Sequence, residues 1–247
     1  MARNENQVIA VCNFKGGVAK TSSVMNIGAA LAAKGKRVLL IDMDPQFNLT
    51  TSFGIFDQEA TVYDAITKKL SALPVTKIRE HLDIVPSSIE LNKAELEMSA
   101  EFKREERLTE LVDAVRDQYD YIIMDCPPSL GLLTINALVA SDVIYVPVEP
   151  EYLALKGFSV LEQALDKIGM TLDRIFITKF DKRNILHRDI AQSLIDHAGD
   201  RVFDTPIRKN IAIPEAIANG QDVLTYDSKC NGASDYSNLT KEIIANG

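Results

Sequence analysis

A chain of 247 residues with 46% hydrophobic and 25% charged residues has the composition of a folded globular protein, ample for one α/β domain and short for two. A net charge of −8 argues against a generally cationic nucleic-acid coat but leaves room for a local basic face. No apolar run approaches the ~20 residues that span a bilayer, the N-terminus lacks a signal peptide's apolar region, and Cys12, Cys126 and Cys230 have no metal-ligand spacing, so a reduced cytoplasmic protein is expected.

Along the chain, residues 8–11 form a short β-branched run, followed by a glycine loop and by residues 22–34, rich in Ala, Leu and Met. The order is strand, loop, helix. A second strand, 37–41, ends at Asp42-Met43-Asp44-Pro45. Residues 57–101 are the least regular, with short helices and a strand at 82–85 expected. Leu108, Leu111, Val112 and Val115 carry helical spacing, as do Phe158, Leu161, Leu165 and Ile168, and core packing explains both stripes. Near-continuous apolar runs at 121–124, 143–146 and 174–177 read as buried parallel strands. Alternating strand and helix predicts a doubly wound, mostly parallel sheet with helices on both faces, one unit over residues 1–247.

The chemistry is concentrated in Lys15-Gly16-Gly17-Val18-Ala19-Lys20-Thr21. Between a first strand and a first helix, such a loop turns backbone N–H groups onto phosphate oxygens, and the helix N-terminus adds partial positive charge. The binding loop is expected to run through Gly16, Gly17, Val18 and Ala19 to Ser22. Lys20 reaches the β- and γ-phosphates, and the Thr21 hydroxyl meets Mg²⁺. An ordinary phosphate loop has one lysine, at its end; Lys15 is extra, and its position points to a nucleotide shared between two subunits. Asp125, closing the 121–124 strand, is the expected metal-side carboxylate, since the prolines after Cys126 disfavour an immediate helix cap. Asp42 and Asp44 close the second strand, on the side where open α/β sheets bind ligands. Asp44 suits the orientation of an attacking water. Asp42 supports the metal or water network, with a simple turn cap before Pro45 as its competing role.

These residues resemble a known family. Lys15 to Thr21, Asp42-Met-Asp-Pro-Gln-Phe-Asn48 and Asp125-Cys-Pro-Pro-Ser-Leu130 look like the deviant Walker A, switch I and Walker B/switch II motifs of ParA-type partition ATPases. The likeness continues in Glu149 to Gly157, Thr178 to Arg183 and Thr205 to Tyr226, and so covers nearly the whole chain. The resemblance implies ATP and Mg²⁺ as ligands and a homodimer that sandwiches two nucleotides, with Lys15 crossing to the partner's phosphates. It also implies weak hydrolysis stimulated by a ParB-type centromere-binding protein. The strand end Thr178-Lys179-Phe180 and the loop Pro206-Ile207-Arg208 match positions that flank adenine in the family, Phe180, Pro206 and Ile207 being the candidate contacts, with core or turn roles as alternatives. Two departures stand out. Ala19 and Phe47 occupy usual glycine positions; binding is expected to survive at Ala19 unless φ is positive there.

The family's ATP dimer binds duplex DNA without sequence preference. Residues 174–209 hold eight Lys/Arg against five Asp, a balance of +3 in an acidic chain. Lys182, Arg183, Arg208 and Lys209 are the candidate DNA contacts, Arg188 and Lys241 weaker ones. A MinD-like membrane-associated ATPase is the rival reading. It would need a basic amphipathic C-terminus, whereas Tyr236, Leu239 and Ile243 form an apolar stripe with Lys241 balanced by Glu242. Docking of that helix on the sheet explains the stripe, and no membrane partner is expected. A nucleotide-gated scaffold for a protein cargo is the third reading.

Overall fold

A computed structural model describes residues 6–246. Seven strands form one sheet: β1 (Gln7–Val11), β2 (Val38–Asp42), β3 (Thr76–Arg79), β4 (Leu82–Val85), β5 (Tyr121–Asp125), β6 (Val143–Val148) and β7 (Arg174–Ile177). Their spatial order is β3-β4-β2-β5-β1-β6-β7, parallel except where β3 runs against β4. The expected doubly wound, mostly parallel sheet is therefore present, with all five apolar runs among its strands.

The strands alternate their side chains between two cores, as the pleat requires. Val8, Ala10 and Cys12 face one core; Ile9 and Val11 face the other. Helices α1 (Lys20–Ala32) and α2 (Asn48–Ser52) cover the second core, and α3 (Val62–Ile66), α4 (Leu91–Glu97), α5 (Arg107–Asp113), α6 (Leu132–Ala140), α7 (Ala154–Lys167) and α8 (Ile185–Ala198) the first. The chain then returns to the α1 face with α9 (Ala212–Ala218), α10 (Val223–Tyr226) and α11 (Asn231–Asn246).

Some expectations need adjustment. The expected stripe in α5 ends early, because the helix stops at Asp113 and leaves Val115 beyond it. Ile168 caps α7 and is 39% exposed, because Gly169 turns into the left-handed region (φ 74°) and ends the helix. Strand β3 was not foreseen: Thr76 and Lys77 are exposed, so no apolar run marks this edge strand.

The C-terminal stripe docks as expected of a structural helix, in the core between α1 and the sheet, where it shares a cluster with Ile9, Tyr145 and Phe176. Tyr236, Leu239 and Ile243 are fully buried, and the Tyr236 hydroxyl lies 3.1 Å from Ser23 Oγ of α1. No helix among the described residues is long and apolar enough to cross a membrane. Because the core closes around Leu239, Leu239→Ala is expected to lower the unfolding free energy by about 2–5 kcal/mol in urea titration. A change near zero would mean that α11 is not held in the core.

Candidate nucleotide site

The loop between β1 and α1 is fixed at its start by Asn13. This side chain donates to Pro147 O of β6 (2.8 Å) and accepts from the Lys15 N–H (2.9 Å). Gly17 takes a positive φ of 78°. Ala19 does so too, with φ 67° and ψ 31°, immediately before α1. The condition set for this departure is thus met: an alanine occupies left-handed backbone, at a cost of roughly 1–2 kcal/mol. Phe47, the other residue at a usual glycine position, is also left-handed, with φ 44°. No side chain caps α1, which leaves its first N–H donors facing the cavity in front of it.

That cavity, about 670 Å³, is lined by Gly16, Gly17, Lys20, Thr21, Ser22 and Asp44, among others. Lys20 is 8% exposed, and its ammonium donates to Asn13 O at 3.0 Å. Val18 is buried behind the loop, its carbonyl accepting from the Thr178 hydroxyl at 3.0 Å. Asp42 and Asp125 pair in register across β2 and β5 and are fully buried. Thr21 Oγ1 donates to Asp125 Oδ2 at 2.7 Å, while Asp125 Oδ1 is buried with no hydrogen-bond partner. Burial pushes the Asp125 carboxyl well above the ordinary range, and the charge of Asp42 pushes it further.

Asp42 is differently occupied. Its Oδ2 accepts from the N–H and hydroxyl of Thr50, at 2.9 and 2.7 Å, and its Oδ1 accepts from the Asp44 N–H at 3.2 Å. Burial raises its pKa to about 7 against the lowering effect of these Thr50 bonds. Asp44, 7% exposed, faces the cavity and accepts the Gln46 N–H at 2.9 Å. An unpaired buried carboxylate oxygen beside a threonine hydroxyl is a donor set of hard oxygens and fits Mg²⁺. Thr21 and Asp125 would hold the ion.

Lys15 does not line the cavity. Its ammonium pairs with Glu151 at 2.5 Å, both side chains being largely exposed, and this pairing holds the Glu151 carboxyl below its usual range. An exposed pair of this kind contributes about 0–1 kcal/mol, so the lysine can exchange its partner at little cost. Two residues before Glu151, Glu149 holds Lys179 at 3.0 Å.

A second cavity of about 500 Å³ adjoins the first and shares Ala19, Ser22, Lys179 and Ile217 with it. Ile207 lines it; Phe180 and Pro206 do not, Phe180 packing instead toward the first core. Lys179, in the strand end expected to flank the base, does line it, whereas sequence reasoning missed Pro214 and Tyr236, since only the fold brings α9 and α11 to the mouth of β7. Of the four basic residues, Lys182 and Lys209 are exposed and make no ion pair among the described residues. Arg183 is paired to Asp181, and Arg208 to Asp235.

A parallel sheet carrying a glycine loop, a capping lysine and strand-end aspartates defines a P-loop nucleotide-binding protein, and a family described as an AAA domain matches residues 6–178. The chain is 41% identical to the sporulation initiation inhibitor protein Soj of Bacillus subtilis, over 98% of this chain and 99% of that protein. It is 37% identical to the chromosome partitioning protein ParA of Caulobacter vibrioides, over 99% and 96%. Among solved structures it resembles a cobyrinic acid a,c-diamide synthase from Mycobacterium smegmatis with bound ADP and magnesium. The TM-score is 0.84 at 30% identity, covering 97% of this chain and 94% of that one. The chain belongs to the ParA/Soj family of ATPases.

Because Ala19 holds a backbone conformation that glycine adopts freely, Ala19→Gly is expected to raise stability by about 0.5–1 kcal/mol, the relieved strain exceeding the added unfolded-state entropy. Thermal unfolding of both proteins tests this, and a destabilised glycine variant would contradict the strain assignment.

Proposed function

We propose that this protein is a cytoplasmic partition ATPase that hydrolyses ATP in a homodimer and binds duplex DNA in that state, acting with a ParB-type partner. The observation that carries the reading is the meeting of Lys20, Thr21 and Asp44 around one cavity at the carboxyl ends of the central strands, with Asp125 and its unpaired oxygen bonded directly behind Thr21. The adenine nucleotide and magnesium of the M. smegmatis relative support the choice of ligands.

In this reading the loop N–H groups from Gly16 to Ser22 receive the phosphates, and Lys20 leaves the loop carbonyls for the β- and γ-phosphates. Magnesium held by Thr21 and Asp125 would neutralise phosphate charge, with Asp42 fixing the turn behind it rather than offering a free oxygen. Asp44 accepts from the attacking water and aligns it. Lys15 leaves Glu151 and reaches the partner subunit's phosphates, where it stabilises charge that grows in the transition state. The second cavity takes the base, with Ile207 on its wall and Phe180 and Pro206 packed behind. Lys182 and Lys209, with Arg183 beside them, supply the DNA contacts and associate the ATP-bound dimer with the nucleoid. The buried stripe of α11 favours this over membrane association.

Asp44→Asn is expected to keep ATP affinity and lose hydrolysis by roughly 10²–10⁴-fold, as for a positioned acid–base group. Equal activity in single-turnover assays would remove Asp44 from the chemistry. Lys15→Ala is expected to bind ATP yet stay monomeric in gel filtration with ATP, and an unchanged dimer would refute the crossing lysine. For DNA, Lys182→Gln is expected to reduce the slope of log affinity against log salt by about 1. Absence of ATP-dependent binding at low salt would sink the DNA reading and favour the protein-cargo scaffold.

A further inference from the structure

Arg208 carries the strongest side-chain pairing at the nucleotide site, and its partner comes from a distant helix. Its backbone N–H donates to Asp235 Oδ2 at 2.9 Å, its Nε to both Asp235 oxygens at 2.9 and 3.1 Å, and its Nη2 to Oδ1 at 2.6 Å. The Asp235 side chain is 6% exposed. A guanidinium engaged by a buried carboxylate through a planar fork presents little net charge to a phosphate. Withdrawing it would leave Asp235 buried and unpaired, which is strongly unfavourable.

The pair sits at a junction. Ile207 O accepts from the Phe180 N–H (2.9 Å), and Phe180 O accepts from the Lys209 N–H (3.0 Å), so the arginine's segment is laced to the chain leaving β7. Arg208, Lys209, Asn210 and Ile211 line the 500 Å³ cavity together with Tyr236. On α11, Gly232, Asp235 and Tyr236 follow i, i+3, i+4 spacing and share one helix face. A Cβ at Gly232 would meet Ile213 of the cavity wall at 3.0 Å, so glycine permits the close seat of this turn. Asp235 grips Arg208 while Tyr236 reaches Ser23 behind the phosphate loop.

We propose that Arg208 and Asp235 are positioning residues for the nucleotide base, holding residues 206–210 as a wall of the base cavity, and that Arg208 is not a DNA contact. This rests on reading the 500 Å³ cavity as the base site. Among the described residues the pair has no hydrogen bond or ion pair to residues 16–22, so its effect is expected on the part of the ligand that carries the base.

The test compares Asp235→Asn, Arg208→Gln and Arg208→Lys with the parent protein by calorimetric titration of ADP, GDP and tripolyphosphate, with melting temperatures as a folding control. Each variant is expected to weaken ADP about tenfold and to narrow the preference for ADP over GDP, with tripolyphosphate affinity unchanged. Arg208→Lys keeps the charge but loses the fork, so it is expected to resemble Arg208→Gln. DNA binding at saturating ATP is expected to keep the parental salt slope in all three. Unchanged ADP affinity, or an equal loss for tripolyphosphate, overturns the proposal. So does a salt slope lowered by about 1 in Arg208→Gln but not in Asp235→Asn, which would mark Arg208 as a phosphate contact. A parent protein that binds tripolyphosphate as tightly as ADP removes the base cavity itself, and that result is read without any variant.

Discussion

Three carboxylates converge where water scarcely reaches. Asp42 and Asp125 are fully buried side by side, and Asp44 is nearly so. Such a cluster repels itself, and the surrounding residues are arranged against that repulsion. Thr50 saturates Asp42, Thr21 satisfies half of Asp125, and the Lys20 ammonium sits close enough to favour the charged form of Asp125. One oxygen remains unanswered. The residual negative potential is an attraction for a hard cation, and the polyanion that accompanies it is met by the loop donors opposite. The phosphate loop, Asp125 and Asp44 are therefore parts of one charge balance rather than separate sites.

The loop that completes this balance is held stiffly. Asn13 ties it to β6 and Thr178 ties it to the end of β7. Ala19, Phe47 and Lys179 each occupy left-handed backbone without being glycine, and all three border the nucleotide region. A side chain at such a position narrows the conformations open to the turn in the unfolded chain while straining it in the folded one. The same exchange of freedom for strain thus occurs in the phosphate loop, after β2 and after β7. By contrast, the ammonium groups of Lys15 and Lys179 are held lightly, by Glu151 and Glu149 of a single turn after β6.

The sequence carried the local part of this arrangement. Apolar runs located β1, β2 and β5 to β7 because a strand covered on both faces has no polar side to dilute the signal, while β4, expected within an irregular segment, carries Asp83. Edge strand β3 has polar, exposed residues and left no such trace. The phosphate loop was readable because its donors lie within a few residues of one another. Glu151 lies 136 residues from Lys15 and Asp235 27 residues from Arg208, so neither pairing follows from spacing. In sequence Arg208 reads both as a cation in a basic stretch and as part of a base-flanking loop; only the fold supplies the carboxylate that neutralises it. Ala19 illustrates a subtler limit, since residue identity gives the cost of a positive φ but not whether the turn demands one.

The seat of α11 on α1 has a consequence for the order of events during synthesis. The phosphate loop precedes α11 by about 210 residues, and the packing behind α1 is complete only once Tyr236 reaches Ser23 and Leu239 closes the core. While α11 is still within the ribosome, the nascent chain has its glycine loop and its aspartates yet lacks the wall that shapes the ligand cavity. The phosphate-side cavity, by contrast, has no α11 residue in its lining, so the two cavities depend unequally on the docking of that helix.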